Sequence, residues 1–94
     1  MACNMTRDDV SGIVIDTLNQ LLDKENISEE SEFDADLGLD SQAQSLLFFP
    51  IEKGVVRIGC QFTKFNAEVC GKAKMVGDIV DAICKDFGID DSAV

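Results

Sequence analysis

The chain contains no histidine, tryptophan or tyrosine, one proline, and eight basic side chains against eighteen acidic ones. Without histidine the usual general base is missing, so neither a serine–histidine nor a cysteine–histidine nucleophile pair can be assembled. The same absence removes the nitrogen ligands of a zinc site, and Cys3, Cys60, Cys70 and Cys84 contain no Cys-x-x-Cys pair. No metal is expected, and the cysteines are expected to be buried or half-buried thiols. There is no Gly-rich phosphate loop, internal repeat, low-complexity tract or transmembrane run. The opening Met-Ala-Cys-Asn-Met lacks the basic and apolar regions of a secretory signal, so a cytoplasmic protein with reduced thiols is expected. The shortage of cations leaves a net charge of −10. That charge repels nucleic acid and anionic membranes and favours basic protein surfaces.

What is present is enough for one core. Ninety-four residues make a single domain, 1–94, because two cores would each be too small to offset chain entropy. Such a chain has no room for a deep cleft with separate substrate and cofactor sites, so it is expected not to be an enzyme. Thr6 followed by Asp9 forms a helix start close to a capping box. Val10, Ile13, Val14, Leu18, Leu21 and Leu22 then follow the 3.6-residue spacing of one apolar face, which predicts a helix over about 6–23. Val76, Ile79, Val80, Ile83, Cys84 and Phe87 repeat that stripe and predict a helix over about 76–87. Gly88 would end it and Ile89 would supply the closing apolar contact. The tail from Asp90 to Val94 is expected to fray.

The middle of the chain is less regular. A polar loop over about 24–40 is punctuated by Ile27, Phe33, Leu37 and Leu39, spacing that suggests a segment pinned across a core. A helix over about 41–53 starts behind Asp40, with Leu46, Leu47 and Ile51 able to face inward. Pro50 inside it costs roughly 3 kcal/mol unless the helix kinks. Val56, Ile58, Cys60 and Phe62 alternate with Arg57, Gly59 and Gln61, which reads as an extended segment over about 55–65. A short helix over about 66–72 is the weakest element. The fold expected is all-α: a small antiparallel helical bundle of three main helices. Its core is expected at Ile13, Val14, Leu18, Leu21, Leu37, Leu47, Ile51, Val76, Ile79, Val80 and Ile83.

The stretch from Phe33 to Ser41 carries the chemistry. Asp34 and Asp36 open like a calcium-binding EF-hand loop, but Gly38 comes one place early and the twelfth position is Ser45, not a bidentate glutamate. Ser41, at the first turn of a helix, places its hydroxyl where free backbone amides can receive a phosphodiester. Asp40 can cap that helix, and Gly38 allows the tight turn before it.

Asp36-Leu37-Gly38-Leu39-Asp40-Ser41 resembles the Asp-Leu-Gly-x-Asp-Ser motif of the acyl carrier protein family. Met75-Val76-Gly77-Asp78 also resembles that family's approach to its last helix, and the likeness in order covers nearly the whole chain. The resemblance implies a four-helix bundle carrying 4'-phosphopantetheine on Ser41, loaded from coenzyme A by a phosphopantetheinyl transferase. The arm would hold an acyl group as a thioester for enzymes of a fatty acid, lipid or polyketide-like pathway. It further implies a monomer whose partners dock basic surfaces near Asp36, Asp40, Gln42 and Glu52. Gln42, Gln44, Ser45 and Pro50 depart from the family pattern, and the segment after Gly54 is longer by about half a dozen residues, a change that loops accept. These departures suggest a divergent, specialised carrier. The alternatives are an unmodified helical interaction module of the same fold and an aminoacyl or peptidyl carrier.

Overall fold

A computed structural model of the protein describes residues 5–89, so Cys3 and the expected frayed tail from Asp90 onward lie outside the described residues. The described chain is all helical: α1 Arg7–Leu22, α2 Ser41–Leu46, α3 Phe48–Arg57, α4 Ala67–Lys72 and α5 Val76–Phe87. It forms a small helical bundle in which α1 packs on α5 and α3, and α2 packs on α4.

The first and last helices begin and end as their residues require. The Thr6 hydroxyl accepts from Asp9 N–H at 3.2 Å and the Asp9 carboxylate accepts from Thr6 N–H at 3.0 Å, a reciprocal capping box. α1 stops at Asp23, which takes a left-handed φ of 52°. α5 ends at Gly88, φ 71°. There Ile89 N–H donates to Cys84 O at 2.8 Å and Gly88 N–H to Lys85 O, the bond pair of a Schellman motif, with Ile89 packed on the core.

The predicted 41–53 helix is two helices. Leu47 separates α2 from α3, and α3 runs on to Arg57. The reason is Pro50. A break at Leu47 places the proline in the first turn of α3, where backbone N–H groups have no intrahelical partner and a missing one costs nothing. Ile51 N–H then bonds Leu47 O at 3.2 Å and the helix proceeds normally.

The extended reading of 55–65 is also corrected. Val55–Arg57 finish α3, and Gly59 (φ 88°) ends it, with Cys60 N–H on Val55 O and Gly59 N–H on Val56 O. The apparent alternation therefore straddles a helix terminus: Val56 and Ile58 are exposed, Cys60 is buried and Phe62 half-buried. Among the described residues there is no strand, only an isolated bridge between Glu32 and Met75.

Nine of the eleven expected core residues are buried, whereas Ile13 is half-buried and Leu21 is 54% exposed. Leu46, expected inside, is 63% exposed, one helical step of about 100° from buried Leu47. Val10, Ile27, Phe33, Val55, Cys60, Phe65, Cys70 and Cys84 complete the core. The expectation of four thiols fails at Cys60, which is disulfide-bonded, while Cys70 and Cys84 are buried thiols. No helix of the described residues is long and apolar enough to cross a membrane.

Candidate functional site

Ser41 sits where a long loop becomes α2, and the loop is held on both sides. Ile27, Phe33 and Leu37 are buried, so the 24–40 segment is pinned across the core as its spacing suggested. Its middle runs beside the start of α5. Phe33 N–H donates to Lys74 O, Val76 N–H to Ser31 O, and Gly77 N–H to Glu29 O at 2.7 Å. Gly77 is needed for that approach, because a Cβ there would stand 3.0 Å from Glu29 O.

The Asp36-to-Ser41 motif is a sequence of tight turns. Asp36 and Leu37 N–H both reach Glu32 O, Gly38 N–H reaches Asp34 O, and Leu39 N–H reaches Phe33 O at 2.7 Å. Gly38 supplies the left-handed conformation, φ 67°, that this reversal needs. The Asp36 carboxylate turns back to accept from Glu32 N–H at 2.7 Å, so it locks the turn. Asp40, in extended conformation, caps α2 by accepting Ala43 N–H at 2.8 Å.

Ser41 is then the first helical residue, and it is exposed, as are Asp36, Asp40 and Gln42. The first turn of α2 contains no acidic side chain of its own, and the neighbouring carboxylate is the cap, Asp40, which already takes the Ala43 N–H. Glu52 is half-buried on α3, beyond the break at Leu47, so the bend moves it off the short helix that carries Ser41. Four of the five expected residues are thus brought together in one turn and the cap that follows it. Among the described residues no group of three or more Cys, Asp or Glu side chains could hold a metal ion.

Gln44, in sequence only a departure from a family pattern, has a structural role in the fold. It is 5% exposed, and its side-chain amide donates to Cys70 O at 3.1 Å and Ala73 O at 2.7 Å. These carbonyls lie in the last turn of α4 and at its cap: Cys70 O also takes the Ala73 N–H at 3.3 Å, whereas Ala73 O gets its donor from Gln44. Its spacing carried the signal: Gln44, Leu47 and Ile51 fall at i, i+3 and i+7, one face. Beside it α4 comes very close to α2. A Cβ on Gly71 would lie 2.5 Å from Ser45 Oγ and 3.1 Å from Ser41 O. The backbone of the candidate serine is therefore buttressed by α4 while its side chain faces outward.

Asp86 is a second polar residue with such a role. It accepts from Thr63 N–H and Lys64 N–H at 2.8 Å, from Phe65 N–H at 3.2 Å, and from the Thr63 hydroxyl. Burial alone would raise its pKa, but the Thr63 hydroxyl and three backbone N–H groups outweigh that and hold it below the ordinary carboxylate value. An acid in the last turn of a helix opposes the macrodipole, which marked it as having donors elsewhere. Arg7 is held by Asp81 at 2.5 Å and Glu29 at 2.6 Å, tying the start of α1 to α5 and to the long loop. Those bonds, Asp81 first, raise its pKa against the opposing effect of burial. Burial pushes the Cys70 thiol up to about 12, so it is inert at neutral pH.

No family model matches the chain, and no curated protein matches it either.

Proposed function

We propose that the protein is an acyl carrier, bearing a 4'-phosphopantetheine arm on Ser41 and presenting acyl thioesters to partner enzymes. The observation that carries this reading is the exposed Ser41 hydroxyl at the first position of α2, behind the Asp40 cap and the Gly38 turn. The motif resemblance from Asp36 to Ser41 supports it. The Ser41 oxygen would form a phosphodiester with the pantetheine phosphate of coenzyme A, releasing the nucleotide part, with a transferase supplying the base. The chain itself then performs no bond-making step. It offers an accessible hydroxyl, a rigid base for the arm and a net charge of −10 that steers basic partner surfaces toward it.

The test is intact mass after incubation with coenzyme A and a phosphopantetheinyl transferase. One phosphopantetheine per chain is expected, and none on Ser41→Ala. Absence of an adduct with every transferase tried overturns the reading.

A second reading, an unmodified interaction module, draws on Leu46 and Phe49, which are 63% and 58% exposed just beyond Ser41. Large apolar side chains left in solvent beside a candidate site are what a docking face needs. Unchanged biological activity of Ser41→Ala would favour this module over the carrier.

A further inference from the structure

We propose that the hollow between α4 and α5 is a binding site for a small anionic amphiphile: a carboxylate or phosphate on a short alkyl or single-ring body. The hollow measures about 390 Å³ and is lined by Lys64, Phe65, Val69, Ala82, Lys85 and Asp86. Its floor is apolar: Phe65 is buried, and Val69 and Ala82 are half-buried against the core. Its size falls in the range of small-molecule pockets.

Charge decides the ligand class. Lys64 and Lys85 are exposed at the rim, and among the described residues neither makes an ion pair, although the chain has eighteen acids to offer. Asp86, the one acid in the lining, does not neutralise them by contact. Its two oxygens are occupied by Thr63, Lys64 and Phe65 N–H and the Thr63 hydroxyl. The same bonds fold residues 63–65 down and set Phe65 into the floor. Two unpaired ammonium groups over an apolar hollow suit a ligand with a negative head and an apolar body. A second hollow, between α1 and α3, also has two cations, Lys53 and Arg57. There Asp16 is in the lining and, among the described residues, its carboxylate has only a long 3.5 Å contact from Gln20, so an entering anion meets a carboxylate that opposes it.

The site is separate from Ser41, since none of its lining residues belongs to α2 or the motif loop. Its test therefore stands apart from the carrier reading. Amide shifts of the isotope-labelled full-length chain would be followed by NMR during titration with sodium octanoate, octyl phosphate, octanol and octyltrimethylammonium. Saturable shifts centred on Lys64, Phe65, Val69, Ala82 and Lys85 are expected with the two anions. Octanol should bind at least tenfold more weakly, and the cation more weakly still. Whichever anion binds tighter identifies the head group. The double variant Lys64→Ala/Lys85→Ala should weaken octanoate at least tenfold and leave octanol unchanged, while Ala82→Leu should block both by filling the floor. Ser41→Ala should bind like the unaltered chain. Equal affinity for octanoate and octanol, shifts centred elsewhere, or undiminished octanoate binding by the double lysine variant would overturn the proposal. The lysine variant alters no buried group, so it decides even if Ala82→Leu does not fold.

Discussion

Two side chains at residue scale hold more of this fold than their polarity suggests, Gln44 and Asp86. Each satisfies backbone groups that a neighbouring element leaves open. Replacing Gln44 by leucine keeps the volume but takes the amide donor from the carbonyl of Ala73 and leaves Cys70 O with only the 3.3 Å bond from Ala73 N–H, and a buried acceptor without a donor costs about 1–3 kcal/mol. Urea denaturation of Gln44→Leu should show a loss in that range, and an unchanged midpoint would mean that water replaces the amide freely. Asp86 adds a dependence on pH. Its folded pKa lies below the ordinary value, so its contribution is present above the unfolded carboxylate pKa and is lost as pH falls through the lowered folded value. Stability measured from neutral pH down to about pH 2, across that range, should fall more steeply in the unaltered chain than in Asp86→Asn. Parallel curves would show that Asp86 contributes nothing pH-dependent. Cap residues were legible from sequence because Thr6, Asp9 and Asp40 act within three residues of themselves. Spacing and helix position hint that Gln44 faces inward and that Asp86 needs donors, but the donors and acceptors themselves are not legible, because they lie more than twenty residues away.

Elements meet where glycine allows it. α4 lies against α2 at Gly71, whose missing side chain leaves room for Ser45 Oγ and Ser41 O. Gly71→Ala sets two effects against each other. Helix propensity gains about 1 kcal/mol, while overpacking a tight contact costs typically 1–3 kcal/mol. The backbone oxygen of Ser41 cannot swing aside as a side chain would, so the steric cost wins. Gly71→Ala should lower the melting temperature, and adding Ser45→Ala should restore part of the loss. A rise in the single variant would show that α4 shifts easily. The same contact explains why a six-residue helix such as α4, too short to be stable alone, is present at all. Its weak sequence signal was an accurate reading of its local strength. At 55–65 the reverse holds: alternation that suggests extended backbone covers a helix end closed by Gly59.

For the whole molecule, charge is the dominant feature. Eighteen acids and eight bases on a small body repel one another, and only a few basic groups are engaged in ion pairs among the described residues. Added salt or divalent cations should raise the melting temperature by screening that repulsion. A flat melting temperature across a salt titration would show that the acids are dispersed widely enough not to interact. The proposed docking of basic partners near Ser41 should weaken over the same salt range, which separates steering from stability in one set of buffers.

Sequence alone determined the all-helical class, the bounds of the outer helices, nine core positions and the Asp36–Ser41 turn. All of these rest on periodicity, caps and turn residues acting within a few positions. Tertiary structure decided the rest. It broke the middle helix at Leu47 so that Pro50 falls where no amide is missed. It turned Gln44 inward to finish α4 and left Leu21 and Leu46 in solvent. It also folded residues 63–65 onto Asp86 and so made the hollow between α4 and α5. These outcomes depend on which distant groups come into contact, and local preference carries no information about distant partners.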